Sequence, residues 1–291
     1  MSSCVGGEDA ASRRTMRSTE TLALRHAVAL GLLQGPTELL PVSSSGHTAL
    51  LPWLADWPYA ELDGELRKSF EVALHAGAGV ALAIDMRGQL LGEMTRMDRR
   101  RATVLALSLG PPALAGFALR ARIERLLGGP RSIAVGLAAG AVAMALADAC
   151  AGENAGRSCD DAGAVDGLAL GLAQAGALIP GISRNGATLT AARARGFDRE
   201  GAHALSWSVA LPVILGASAL KGARLLAHGV PRHARAGLAA GGTSAFLSTL
   251  ASVRVLRRGA REERSLLPYS LYRCLLAGLV AIRLRRTRSS R

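Results

Sequence analysis

Two polar interruptions in otherwise apolar sequence hold most of the chemistry this chain could perform. The first reads Gln34-Gly35-Pro36-Thr37-Glu38-Leu39-Leu40-Pro41-Val42-Ser43-Ser44-Ser45-Gly46-His47. Gln34 and Glu38 are spaced to share one face of a helix. A carboxylate beside an amide offers oxygen ligands to a hard cation such as Mg²⁺ or Ca²⁺, and Glu38 could equally act as a general base. An ionisable side chain within apolar sequence is costly and points to function. Ser44 and His47 lie one turn apart, close enough for a hydroxyl–imidazole couple. The serines could instead cap a helix start.

The second interruption reads Ile179-Pro180-Gly181-Ile182-Ser183-Arg184-Asn185-Gly186-Ala187-Thr188. Gly181 and Gly186 free the backbone to turn N–H groups toward an anion at a helix start. Arg184 adds a planar, permanently charged fork suited to phosphate oxygens, and Ser183 and Thr188 add hydroxyl donors. A carboxylate, a hydroxyl with an imidazole, and an anion cradle are the parts phosphoryl transfer needs. A third polar point, Glu71 and His75, shares a helix face and could support such a site or pair two helices.

These segments need elements to hold them, and composition narrows the choice. The chain has 291 residues, 49% apolar and 20% charged, values near the soluble average, so an Ala-rich soluble helical enzyme has to be weighed. Mean hydropathy is nevertheless positive despite 35 basic residues, and aromatic residues are only 3%. The charges must therefore cluster, and the core must be built from Ala, Leu, Val and Gly, small residues that let helices approach closely in a bilayer. Apolar stretches occupy 21–33, 70–86, 102–119, 131–150, 164–179, 204–227, 236–253 and 267–282, several close to the ~20 residues a spanning helix needs. The stretches entering the two interruptions break into Pro/Gly/Ser-rich sequence without reaching a charged loop. Such a break is tolerated at membrane depth only where it is buried in protein or lines a polar cavity.

The breaks also match each other. At a constant offset of 140, Ala29 to Leu32 repeats as Ala169 to Leu172, and Gln34, Ser43, Gly46 and Thr48 pair with Gln174, Ser183, Gly186 and Thr188. Val72-Ala73-Leu74 has its parallel in Val209-Ala210-Leu211 at a slightly different offset. Paired, interrupted apolar segments predict an internally repeated membrane protein with its site where the repeats meet. The expected architecture is all-α: a polytopic helical bundle with inverted repeats and two re-entrant helix hairpins. Residues 21–285 form one membrane domain of two repeats, about 21–150 and 160–285, between a disordered polar tail at 1–20 and a basic tail at 286–291.

Net charge is +13, yet the arginines gather in short loops and at the tail, as in Arg99-Arg100-Arg101, Arg257-Arg258 and Arg283 to Arg291. That is where membrane proteins keep them. No aromatic residues interleave for base stacking, which argues against nucleic acid. Cys4, Cys150, Cys159 and Cys274 have no metal or disulfide spacing. Basic loops on successive connections leave orientation in the membrane undecided.

The sequence resembles the undecaprenyl-diphosphatases, also called bacitracin-resistance proteins. Gln34 to His47 follow that family's first motif, and Pro180 to Thr188 follow its second except that Asn185 stands where serine is usual. The segment from Phe70 and the pair Tyr272-Arg273 look similar as well. The resemblance implies a multi-pass enzyme of the bacterial inner membrane that uses a divalent cation, Mg²⁺ or Ca²⁺. It would hydrolyse undecaprenyl diphosphate to the monophosphate and inorganic phosphate, recycling the carrier for cell-wall synthesis. Carried over by position, Gln34 and Glu38 serve the metal or act as base. Arg184 holds the diphosphate with Ser183, Thr188, Gly181, Gly186 and Asn185. Ser44 is the preferred nucleophile and His47 its proton-transfer partner, with His47 itself or water as alternative nucleophiles. Partners are then the polyprenyl diphosphate and membrane lipids, with a homodimer left open. The rivals are an inverted-repeat transporter or lipid flippase using the same polar cavity, and a membrane serine hydrolase, which would leave Arg184 and the acidic face unexplained.

Overall fold

The computed structural model describes residues 22–152, 155–229, 232–259 and 265–289; the predicted tail at 1–20 lies outside them. The described residues form eleven α-helices and no strand beyond an isolated bridge between Arg157 and Phe197. They are α1 (Leu24–Leu39), α2 (Ser44–Leu54), α3 (Gly64–Asp85), α4 (Arg87–Thr95), α5 (Arg99–Leu127) and α6 (Pro130–Ala151), then α7 (Ala164–Gly176), α8 (Arg184–Ala194), α9 (Arg199–His228), α10 (Arg235–Gly259) and α11 (Leu267–Ser289). Segments of α5, α6, α9, α10 and α11 are long and apolar enough to cross a membrane, and α3 with α4, bent by 66°, would make a sixth span. The chain is an all-α polytopic membrane bundle.

Local chemistry sets these limits. Asp63, Asp98 and Asp198 cap α3, α5 and α9 by accepting first-turn N–H groups. Pro130 occupies the first turn of α6, where a missing N–H costs nothing. Helix α1 stops at Leu40, whose extended backbone is what a following proline demands. At 1.5 Å per residue, α1 and α7 are only about 24 and 20 Å long, short of the ~30 Å hydrocarbon layer. Each is followed by a break and a short returning helix, α2 or α8.

The two hairpins enter from opposite ends of the bundle. At the head of α11, the Leu266 N–H donates to Asp148 Oδ2 at 3.0 Å, and Asp148 Oδ1 receives Arg193 Nε from the end of α8 at 2.9 Å. Near the tail of α11, Arg283 donates to the Leu54 carbonyl at the end of α2 at 2.5 Å. Leu266 and Arg283 stand about 25 Å apart along that helix. Hairpin α1–α2 therefore opens at one end and α7–α8 at the other.

Each hairpin also leans on a span from the other half of the sequence: α1 packs against α10 and α7 against α5, while α6 and α11 pair between them. Glycine makes the close approach possible. A Cβ on Gly31 would lie 2.5 Å from the Gly241 carbonyl of α10, and one on Gly171, at the matching offset of 140, would press into the Leu107 carbonyl of α5. Backbones in such contact gain dispersion energy that larger side chains would forfeit.

The mouth of α7–α8 is tied by charge. Asp166 accepts from Arg157 at 2.7 and 3.1 Å, from Arg195 Nε at 2.7 Å and from the Gly163 N–H at 2.9 Å. Burial alone would raise this carboxyl, but those donors more than reverse the effect and hold it down at about 2. Among the described residues, the mouth of α1–α2 is held by aromatic contacts and a single ion pair instead. There His26 stacks on Trp57 at 4.1 Å, and Arg283 lies over the Trp53 ring and pairs with Asp56.

Candidate active site

Both breaks arrive at the same place between the two ends. The chain turns at Leu40–Val42 and starts α2 with Ser43 as N-cap, its Oγ accepting from the Gly46 N–H at 3.3 Å. In the second break Ser183 caps α8 in the same manner, accepting from the Gly186 N–H at 3.1 Å. The predicted pairing of Ser43 with Ser183 and Gly46 with Gly186 is thus a pairing of two helix starts. The positive dipole end of a helix start favours an anion. The backbones differ in one respect. Break one places Ser43 at φ 76°, a left-handed conformation that costs a non-glycine residue energy, whereas break two assigns its left-handed turn to Gly181 at φ 94°.

Glu38 is the hub. Its side chain is 3% exposed, and donors from both hairpins reach it. Arg184 Nη2 donates to Oε1 at 2.8 Å, Ser44 Oγ to Oε2 at 2.6 Å, and Gln34 Nε2 to Oε2 at 3.2 Å. Arg184 is the more accessible partner, 27% exposed. Glu38 and Arg184 come from the two different hairpins, so this ion pair joins the halves of the molecule. A carboxylate bonded to a hydroxyl at this distance can take its proton, and the guanidinium beside it can hold an anionic group.

Other predicted site residues sit elsewhere in the constellation. His47 does not turn toward Ser44. Its Nδ1 lies 2.7 Å from the Ser43 carbonyl and its Nε2 2.6 Å from the Tyr272 hydroxyl, against which the ring is stacked. A carbonyl can only accept, so Nδ1 carries the proton and the neutral Nε2 accepts from Tyr272. Both ring nitrogens are engaged, and the group that meets Ser44 is Glu38. Thr188 is fully buried, with its hydroxyl 3.1 and 3.0 Å from the Arg184 and Asn185 carbonyls and 2.5 Å from Ser206 Oγ. Gly181 passes against the Ile133 carbonyl of α6, and Gly186 faces Arg273. In the segment predicted as a third polar point, His75 Nδ1 bonds the Glu71 carbonyl while the His75 carbonyl accepts from Ser218, tying α3 to α9.

The divalent ion implied by the resemblance can be tested against the donors present. No group of three or more His, Cys, Asp or Glu gathers as a cage among the described residues. Gln34 Oε1, however, is buried without a hydrogen-bond partner beside Glu38. An orphaned acceptor next to a carboxylate fits an ion such as Mg²⁺, which takes one or two protein oxygens and fills the rest of its shell with water and phosphate.

Comparison with known proteins decides the family. Residues 27–279 match the family model described as Bacitracin resistance protein BacA. An undecaprenyl-diphosphatase of Geobacter sulfurreducens is 37% identical over 270 residues, covering 88% of this chain and 97% of that protein. Proteins of the same description from Pelobacter propionicus and Moorella thermoacetica are 36% and 34% identical, over 88% and 89% of this chain and 96% and 97% of theirs. The chain belongs to the BacA family.

Within this family member, side chains outside the two breaks complete the site. Arg273 of α11 is 1% exposed. Its Nη1 and Nη2 reach the Pro41 and Gly181 carbonyls at 3.5 and 3.3 Å, one in each break, and its Nε has no hydrogen-bond partner. A buried guanidinium bonded only to carbonyls leaves a positive charge beside both helix starts, where it would favour an anion. Tyr272 and Arg273 were visible in the sequence as a pair resembling the family's, but no spacing rule connects them to His47, Pro41 or Gly181, which lie from 92 to 232 positions away. Ser206 of α9 gave no sequence signal at all.

Proposed function

We propose that this protein hydrolyses undecaprenyl diphosphate to undecaprenyl phosphate and inorganic phosphate in the bacterial inner membrane, returning the lipid carrier to cell-wall synthesis. The observation that carries the reading is the run Arg184–Glu38–Ser44, in which a guanidinium and a hydroxyl both donate to one carboxylate inside a membrane bundle. The names of the relatives agree with it, and a transporter would not need a hydroxyl poised on a carboxylate.

In this reading the diphosphate enters between the two helix starts and draws Arg184 onto its oxygens. The guanidinium then bonds phosphate in place of Glu38 Oε1, while Ser44 keeps its bond to Oε2. Ser44 Oγ, its proton passing to Glu38, attacks the terminal phosphorus in line with the bridging oxygen. The phosphoanhydride bond breaks, undecaprenyl phosphate leaves carrying the proton that Glu38 took from Ser44, and the phosphate is held on Ser44. Water, deprotonated by Glu38, then releases it as inorganic phosphate and restores the serine. Arg184, Arg273 and the two helix dipoles supply fixed positive charge where negative charge builds in the transition state. Glu38 and Gln34 Oε1 are the groups that would hold Mg²⁺ or Ca²⁺, which when bound would neutralise phosphate charge. The His47–Tyr272 pair fixes α2 against α11 and so aims Ser44.

The test is phosphate release from a polyprenyl diphosphate by purified protein in detergent. Release is expected from the wild-type chain, to be abolished by Glu38→Ala and by Arg184→Ala, and to fall with a chelator and return with Mg²⁺ or Ca²⁺. Movement of the lipid without phosphate release would sink the hydrolytic reading.

A further inference from the structure

Asn185 follows the phosphate clamp directly, yet both ends of its amide are already engaged within the protein. Its Nδ2 donates to the Leu39 carbonyl at 2.8 Å, and its Oδ1 accepts from Ser206 Oγ at 2.9 Å. The orientation of the amide is fixed by chemistry, because a carbonyl facing Nδ2 can only accept and a hydroxyl can serve Oδ1. Leu39 is the residue after Glu38 and the last of α1; Asn185 is the residue after Arg184 and the second of α8. The bond therefore runs parallel to the Arg184–Glu38 ion pair, one residue along on both sides, and joins two hairpins that meet nowhere near each other in sequence. Ser206 braces it from α9. Ser206 Oγ also meets the Thr188 hydroxyl at 2.5 Å, a contact in which either oxygen can donate, so the brace is itself in contact with α8.

We propose that Asn185, held by Ser206 and Thr188, is a positioning residue that sets the separation and facing of Glu38 and Arg184, rather than a ligand of the substrate phosphate. The proposal rests on the hydrolytic reading above. An ion pair alone fixes distance poorly, because a guanidinium can swing while keeping one bond and must let go when phosphate arrives. A neutral amide–carbonyl bond beside it survives that exchange and keeps α1 against α8 while Arg184 moves to the substrate. Only a side chain with a donor and an acceptor on one planar end can reach Leu39 and Ser206 together. Serine is shorter and has a single proton, and aspartate has no donor.

Three single variants of purified protein and one double variant separate the roles, each read by kcat, KM and thermal midpoint. Asn185→Asp keeps the shape and the Ser206 bond but loses the donor to Leu39; Asn185→Ala loses both. Both should lower kcat by roughly tenfold or more with KM within about twofold, the pattern expected when catalytic groups are misplaced and binding groups remain. Ser206→Ala should lower kcat less, and adding it to Asn185→Ala should change nothing further, since the brace acts only through the amide. A direct phosphate contact would instead raise KM in Asn185→Ala and leave Ser206→Ala silent, which would overturn the proposal. Unchanged kcat in both Asn185 variants would overturn it as well, as would a loss of activity matched by an equal fraction of unfolded protein. A wild-type chain that releases no phosphate would instead defeat the hydrolytic reading.

Discussion

Arg184 and Glu38, 146 positions apart and on hairpins that open at opposite ends of the bundle, meet at 2.8 Å. The pair couples the chemistry to the architecture: neither hairpin tip alone, Gln34 to His47 or Ile179 to Thr188, has both a carboxylate and a guanidinium, and the tips must touch to bring the two together. Arg184 is the more exposed of the two and so the one a phosphate can recruit.

Arg184→Lys should therefore lose about 100-fold or more in kcat, because an ammonium cannot reproduce the forked grip on phosphate oxygens as charge builds on them. Phosphate release under saturating substrate checks this. Near-full turnover of the lysine variant would remove the clamp role.

Ser44→Ala and His47→Ala should differ sharply. The Ser44 proton goes to Glu38 at 2.6 Å, whereas His47 is engaged with the Ser43 carbonyl and Tyr272. Loss of the serine should abolish turnover, while loss of the imidazole should cost only about tenfold, a shift in positioning rather than a lost proton acceptor. Tyr272→Phe, which removes only the bond to His47, should reproduce the smaller effect. Equal, near-complete losses for Ser44→Ala and His47→Ala would return the base role to histidine.

Acid should loosen the mouth of α7–α8. Asp166 sits at about 2 when folded, against an ordinary value of 3.8, so the unfolded chain binds the proton first as pH falls. Its stabilisation is complete above about pH 5 and disappears as pH drops toward 2. Its worth at neutral pH is about 1–2 kcal/mol, below what the shift alone implies, because Arg157 and Arg195 are 34% and 42% exposed. Thermal midpoints in detergent should fall across that window in the wild type and be lower but flatter in Asp166→Asn.

Gly171→Ala should destabilise the bundle, since even a methyl group there presses on the Leu107 carbonyl and on the Pro111 ring. A cost of about 1–3 kcal/mol is expected for forcing two backbones apart. Gly216→Ala, where an added Cβ meets nothing, is the matched control. An unchanged midpoint for Gly171→Ala would mean that α7 and α5 are not held in backbone contact.

The two breaks were legible in the sequence because each departs from an apolar run, and because Ser and Gly recur at one offset with one structural job, capping and being capped. The Gln34–Glu38 bond was legible for a simpler reason: four residues make one helical turn. The same rule misled at Ser44 and His47, where sharing a turn says nothing about where a ring points; the Ser43 carbonyl, four residues before His47, claimed Nδ1. The Ser44–Glu38 bond spans six residues and exists only because the chain folds back at Leu40–Val42, a bend no periodicity encodes. Tyr272, Arg273 and Ser206 come from helices distant in sequence, and their roles depend on how α9 and α11 pack.

The crossed docking of α1 on α10 and α7 on α5 bears on how the molecule is made. A ribosome delivers Gln34 and Glu38 to the bilayer long before α8, α10 or Arg273 exist, so the first hairpin waits without its arginine. Catalytic competence arrives only with the last helix. A nascent chain stopped short of α11 would lack phosphatase activity, and supplying α11 as a separate polypeptide should restore it.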